Sequence, residues 1–212
     1  MSRLHLYVDS QFTSPYALSV FVALREKGID FAMSAVDLQK LEHQADAYAV
    51  LSQTQRVPTL VDGDFALSES SAITEYLESI YPEVPIYPKD VRLLAKARQV
   101  QAWIRSDLLS IREERSTVGI FYGQQYGPLS PTARESADKL FYTAQALLKD
   151  GAENLFGQWS IVDVDLALML NRLILNGDAV PSALVEYAQR QWQRPSVQAW
   201  VALERPALST AG

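Results

Sequence analysis

The first eighty residues carry strand and helix signals in the order βαβ and then ββα, a density of elements that few folds accommodate in so short a stretch. Leu4, Leu6 and Val8 alternate with His5 and Tyr7, the two-residue period of a half-buried strand. A polar loop from Asp9 to Pro15 leads into a helix predicted over 16–27 and closed by Gly28. Phe31, Met33 and Ala35 alternate again, and the polar, poorly periodic stretch from Leu38 to Gln55 serves as the return connection, so that a right-handed crossover fits. Val57 to Val61 and Phe65 to Leu67 are short apolar runs around Asp62-Gly63-Asp64, a hairpin signal because Asp-Gly readily takes the positive φ of a tight turn. Ser68-Glu69-Ser70 then open a helix with Ile73, Tyr76, Leu77 and Ile80 on one face, stopped by Pro82 and Pro85.

That order predicts an α/β, thioredoxin-like N-terminal domain over residues 1–81, a small mixed sheet with helices on both faces. Residues 82–90 read as a linker, and residues 91–212 show almost only helical periodicity, which predicts an all-α C-terminal domain. One long helix is expected over 91–115, with Leu93, Ala97, Val100, Ile104, Leu108 and Ile111 at core spacing. Further helices are expected over 132–149, 161–175, 182–191 and 196–204, and the Gly- and Tyr-rich stretch 117–130 reads either as a mobile lid or, the reading preferred, as a surface connection. Ser160-Ile161-Val162-Asp163 has the form of a capping box with Asp in the place of Glu, a folding signal rather than a chemical one.

Charge and residue counts then restrict the chemistry. With 19 basic and 25 acidic side chains the net charge is −6, which offers no general attraction to nucleic acid or anionic lipid. No segment approaches the roughly 20 continuous apolar residues of a membrane span, and the start Met1-Ser2-Arg3-Leu4-His5 lacks the layout of a secretory signal, so a cytoplasmic location is expected. The absence of cysteine removes disulfides, thiolate metal sites and a cysteine nucleophile together, and any thiol chemistry must be imported. Two histidines, His5 and His43, are too few for a three-histidine metal site and read as packing or surface residues; no metal is expected.

Three segments carry candidate chemistry. Ser10-Gln11-Phe12-Thr13-Ser14-Pro15-Tyr16 sets hydroxyls at a helix N-terminus, where free N–H groups and the helix dipole favour an anion. Ser14 there is suited to donate a hydrogen bond to an external sulfur, and equally suited to cap the helix. Pro58 opens a strand; were Val57-Pro58 cis, the Val57 backbone groups would be free to pair with an extended peptide. Glu69 and Ser70 sit at the next helix start, able to hold an ammonium and a carboxylate, or simply to begin the helix.

Taken together, Ser-Pro after the first strand, Val-Pro-Thr-Leu-Val-Asp-Gly at 57–63, Leu-Ser-Glu-Ser-Ser-Ala-Ile at 67–73 and the helical second domain resemble the cytosolic glutathione transferases over nearly the whole chain. Phe12-Thr13-Ser14-Pro15-Tyr16, Gln53-Thr54-Gln55-Arg56-Val57-Pro58 and Ala102-Trp103-Ile104-Arg105-Ser106-Asp107-Leu108 are similar to the bacterial YfcF-type members. The resemblance implies glutathione as co-substrate, with Ser14 facing the thiol, Val57 pairing with the cysteinyl backbone beside cis-Pro58, Glu69 and Ser70 holding the γ-glutamyl end, and Gln39 or Lys40 reaching the glycine carboxylate. It also implies a homodimer in which Asp107 reaches the γ-glutamyl ammonium, and an acceptor pocket using Trp103, Tyr122 and Tyr126. The implied reaction is conjugation of glutathione to small electrophiles, with peroxidase activity on organic hydroperoxides beside it. Glutathione-dependent isomerisation or disulfide reduction would use the same peptide site, and a non-catalytic regulatory scaffold is the reading from a different class.

Overall fold

The computed structural model describes residues 3–208, the side chain of Asp150 excepted. Met1 and Ser2, on which part of the expectation about a leader rests, and residues 209–212 of the expected second domain lie outside the described residues. The chain forms two compact units, residues 1–84 with 198–212 and residues 85–197.

The first unit runs β1 (Leu4–Asp9), α1 (Pro15–Glu26), β2 (Phe31–Val36), α2 (Asp46–Leu51), β3 (Thr59–Asp62), β4 (Phe65–Ser68) and α3 (Ser70–Ile80). The strands lie in the order β2-β1-β3-β4, β2 parallel to β1 and the two hairpin strands antiparallel. This is the thioredoxin-like arrangement that the element order predicts. Leu4, Leu6 and Val8 are buried as their alternation requires, and α1 sinks every residue from Ala17 to Leu24. A helix buried on all sides must end on something polar. Lys27 fills that need, its ammonium reaching Glu78 Oε2 (2.7 Å) and the carbonyls of Tyr81 and Val84 (2.8 Å each), so that all three of its protons are used.

The connection read as polar and poorly periodic contains a 3₁₀ turn over 42–44 and the six-residue α2. So short a helix completes fewer than two turns and leaves no period to detect.

The second unit contains α4 (Val91–Ser106), α5 (Leu109–Glu114), α6 (Thr117–Tyr122), α7 (Pro131–Leu147), α8 (Ile161–Ile174) and α9 (Ser182–Trp192). The single helix expected over 91–115 is two. Leu108 leaves helical geometry at ψ 43, and both it and Ile111 are buried; the break keeps both apolar side chains inside. The stretch 117–130 includes α6, capped by Ser116 and ended by Gly123 at φ 72. The capping box is formed as read, with Ser160 and Asp163 each bonding the other's backbone.

Helix α10 (Pro195–Val201) crosses residue 198, from which the chain packs with the first unit. Assigning everything after residue 91 to the helical domain therefore differs from the structure at its end. Trp200 is the reason. Fully buried, it meets the rings of Phe12 and Phe21 edge-on at 5.8 and 5.2 Å, and its Nε1 donates to the Phe12 carbonyl (3.1 Å). An indole buries most favourably where its N–H finds an acceptor, and helical periodicity does not reveal which surface supplies one.

Candidate active site

Strand register brings the separated motifs of the first unit to one end of the sheet. Asp9, the last residue of β1, is level with Val36 of β2, and Tyr7 with Thr59, the first residue of β3. Thr59 is in turn level with Ser68, the last residue of β4. The segments that continue from these points are 37–40, 10–14, 57–58 and 69–70. They follow one another across the sheet, and neighbouring strands are about 4.8 Å apart, so the row spans about 14 Å. Three residues of extended peptide measure about 10 Å, and an additional γ-linkage lengthens them to a comparable span.

In the loop after β1, Ser14 is the N-cap of α1, its Oγ accepting from the amide of Ala17 (3.2 Å). The capping use does not preclude the chemical one, because the accepted bond occupies a lone pair and leaves the hydroxyl proton available. Asp9, only 4% exposed, accepts from the Thr13 amide (2.7 Å), the Thr13 hydroxyl (3.0 Å) and the Ser14 amide (3.1 Å). On the other side of the loop Phe12, at φ 50, offers its carbonyl to Trp200 and to Arg205 Nη2 (3.3 Å).

The Val57-Pro58 bond is cis. Immediately before it, the Arg56 carbonyl is surrounded by Tyr48 Oη (2.9 Å), Thr59 Oγ1 (3.0 Å) and Ser52 Oγ (3.2 Å), and Ser52 Oγ lies 2.8 Å from Ser68 Oγ. Burial pushes the Tyr48 phenol above its usual range, so it stays protonated in this network. The network fixes the chain up to Arg56. Beyond it, neither backbone group of Val57 is hydrogen-bonded among the described residues.

Glu69 takes a left-handed φ of 73 as the N-cap of α3, and its exposed carboxylate has no partner among the described residues. Ser70 beside it is 4% exposed at the first position of that helix. In the fourth segment Lys40 is held by Asp37, Nζ to Oδ2 at 3.0 Å, and the amides of Gln39 and Lys40 bond Asp37 Oδ1 at 3.0 Å each. These contacts with Lys40 hold the Asp37 carboxyl below its usual range and raise Lys40.

The candidates of the second unit have local roles. Asp107 accepts from Trp103 Nε1 (2.8 Å) and pairs with Lys139, which holds its carboxyl low. The Tyr126 backbone is clasped by Asn176, and its ring covers Gly119 so closely that a Cβ there would lie 2.9 Å from it. Tyr122 ends α6, half-buried. Motif reading passes over Asp9, the Tyr48 network and the Trp200–Arg205 contacts with Phe12. Only Asp9 leaves a trace in the sequence, as an acidic residue closing a strand four positions before a hydroxyl.

Residues 13–80 match the family model of the glutathione S-transferase N-terminal domain, and residues 90–206 that of the glutathione S-transferase C-terminal domain. The chain is 34% identical over 134 residues to glutathione S-transferase theta-1 of Bos taurus, covering 60% of this chain and 53% of that protein. It is 34% identical over 151 residues to the Homo sapiens theta-1 protein, covering 68% and 60%. The chain thus spans little more than half the length of these curated relatives. A glutathione transferase homolog from Burkholderia GL BGR1, solved with bound glutathione, is 44% identical with a TM-score of 0.76, covering 93% of this chain and 95% of that one. With a sheet of this order, a helical second unit and two family models that between them match most of its residues, the chain belongs to the glutathione S-transferase family.

Proposed function

We propose that this protein is an active glutathione transferase that binds the tripeptide across the row of four segments and presents its sulfur to small electrophiles. The observation that carries the proposal is the unpaired Val57 backbone, flanked in sheet order by the Ser14 hydroxyl on one side and the Glu69 carboxylate on the other. An extended cysteinyl residue satisfies both Val57 groups as an added strand would. Its γ-glutamyl end then lies toward Glu69 and Ser70, and its glycine end toward Gln39 and Lys40. The 44% identical Burkholderia homolog, solved with glutathione, supports the same ligand. Homodimer formation and a place among YfcF-type members belong to the same proposal.

In conjugation the thiolate attacks an electrophilic carbon, a C–S bond forms, and the leaving group departs with its electron pair. With an organic hydroperoxide the sulfur takes the terminal oxygen, the alcohol is released, and a second glutathione closes the disulfide with loss of water. Ser14 favours the thiolate by donating its proton in a hydrogen bond. Lowering a thiol pKa from about 8.5 to about 6.5 raises the thiolate fraction at pH 7 about 24-fold. A Brønsted slope of about 0.45 takes back about eightfold in nucleophilicity, so the net gain is about threefold. Positioning the acceptor against the sulfur supplies the larger part of the rate.

Two measurements test this. Glutathione at 100 times its Kd adds about 2.7 kcal/mol to stability, so a thermal-shift titration is expected to raise the melting point; no shift at millimolar glutathione would leave the scaffold reading in its place. Ser14→Ala is expected to lower kcat/KM about threefold at pH 7 with little change in KM for glutathione. Its deficit closes as pH rises and reverses above about pH 7.6, where enough of the more basic thiolate is ionised for its better nucleophilicity to win. A variant that tracks the parent across the whole range removes Ser14 from the mechanism.

A further inference from the structure

The loop after β1 holds two neighbouring hydroxyls, Thr13 and Ser14, and the hydrogen bonds distribute their protons unequally. A hydroxyl has one proton to give. That of Thr13 goes to Asp9 Oδ2 at 3.0 Å, the oxygen that also accepts the Thr13 amide at 2.7 Å. Ser14 Oγ is an acceptor, from the Ala17 amide at 3.2 Å, and its own proton is bound by no acceptor among the described residues. The other oxygen of Asp9 takes the Ser14 amide at 3.1 Å and so fixes the backbone from which that hydroxyl projects. Such a carboxylate, 4% exposed, is unfavourable to bury unless donors surround it, and all three donors come from this loop.

Resting on the glutathione reading, we propose that Asp9 is a positioning residue: by binding the Thr13 proton and the Ser14 amide it makes Ser14, rather than Thr13, the hydroxyl that donates to the glutathione sulfur. Electrostatics and positioning predict opposite signs here. The charge of Asp9 by itself opposes a thiolate nearby, so neutralising it without disturbing the loop would ease thiol ionisation. Losing the aim of Ser14 would hinder it. Other charged or titratable groups lie on the neighbouring segments at this end of the sheet, Glu69 at the start of α3 among them. Arg205, from the C-terminal segment, bonds the Phe12 carbonyl; Asp37 and Lys40 pair beyond β2; Arg56 precedes β3; and Tyr16 lies in the first turn of α1. All are common to the variants below and cancel in comparisons between them.

The test uses the full chain and glutathione itself. Ultraviolet thiolate absorbance of bound glutathione is titrated against pH, with kcat and KM measured on a chlorinated nitrobenzene. Asp9→Asn replaces one acceptor oxygen by a donor; its thiol midpoint is expected to rise by about as much as in Ser14→Ala, up to about two pH units. Its kcat is expected to fall while KM for glutathione changes less than about twofold, the pattern of an interaction acting at the sulfur. Thr13→Val keeps both amide bonds to Asp9 and is expected to titrate like the parent. Asp9→Asn with Ser14→Ala is expected to titrate no higher than Ser14→Ala alone, since both act through one hydroxyl.

A lowered midpoint in Asp9→Asn, full additivity in the double variant, or a midpoint in Thr13→Val as high as in Ser14→Ala overturns the proposal. Should Asp9→Asn fail to fold, the comparison of Thr13→Val with Ser14→Ala still decides which hydroxyl donates. Failure of the parent to bind glutathione sinks the underlying reading instead, whereas bound glutathione with a parent-like midpoint in Asp9→Asn sinks only the role of Asp9.

Discussion

Glu69→Gln is expected to weaken glutathione binding 10- to 100-fold while leaving kcat close to that of the parent. Glu69 is the N-cap of an eleven-residue helix, held at φ 73, a region that side chains other than glycine seldom occupy. Its carboxylate is exposed and has no partner among the described residues. A residue kept in an unfavourable backbone state, its carbonyl taking the Ile73 amide (2.9 Å) while its side chain makes no bond that would explain the strain, is a candidate for ligand contact. On the proposed geometry it accepts from the γ-glutamyl ammonium. Charge-assisted hydrogen bonds are worth about 1.5–3 kcal/mol, and each 1.4 kcal/mol is about tenfold in affinity. Glutamine keeps the shape and one acceptor oxygen, so the loss isolates the charge. Because the γ-glutamyl end is remote from the sulfur, the contact is equal in ground and transition states, and KM rises while kcat holds. Initial rates over a glutathione series at two ionic strengths measure it: the parent's affinity falls with salt and the variant's does so less. An unchanged KM would take Glu69 out of the binding row.

The parts of this molecule legible in the sequence are those whose signals are local. The alternation of Leu4, Leu6 and Val8, the Asp62-Gly63 turn and the Ser160–Asp163 box each need only a few neighbouring residues and are found where read, whereas the apolar face of α3 is buried at Ile73 and Leu77 but leaves Tyr76 half-buried and Ile80 exposed at its last turn. The break at Leu108 is hidden because Val100, Ile104, Leu108 and Ile111 continue a helical period straight through it. The destination of Trp200 is hidden because Phe12, its acceptor, is 188 positions away.

The candidate site divides along the same line. Ser14, Val57-Pro58 and Glu69-Ser70 announce themselves as a cap, a strand opening and a helix start, yet no local rule says that they meet. That follows from register, which sets Tyr7 against Thr59 and Thr59 against Ser68. The side chains that hold these segments are less visible still. Tyr48 and Ser52 come from α2 and its C-cap, Thr59 from β3 and Ser68 from β4, and each alone is an unremarkable polar residue. Asp9 differs only in degree, since its bonds to Thr13 and Ser14 are four and five positions away.

The largest loss of stability is expected at Asp163. Its carboxylate is fully buried and receives four bonds. Oδ1 takes the Leu155 amide and the Tyr187 hydroxyl at 2.8 Å each, and Oδ2 takes the Ser160 amide at 2.8 Å and the Ser160 hydroxyl at 3.0 Å. Asp163→Ala strands all four donors in the core of the second unit. An unsatisfied buried donor costs about 1–3 kcal/mol, and relaxation around the smaller side chain recovers part of the sum, leaving about 4–5 kcal/mol. Against a typical total of about 5–15 kcal/mol, that lowers the melting point of a chain this size by about 10–15 °C. Asp163→Asn is expected to lose much of the same, because its amide turns a donor toward donors. Burial also pushes the Asp163 carboxyl above its usual range, against the pull of those donors. The folded protein therefore keeps a proton that the unfolded chain releases near pH 4, and this contribution to stability is full below that pH and lost as pH rises through the folded value. Thermal denaturation of parent and Asp163→Ala over a pH series checks both parts: the gap between them is expected to be widest at low pH, and a melting point within 2 °C of the parent's would mean that the box does not hold the second unit together.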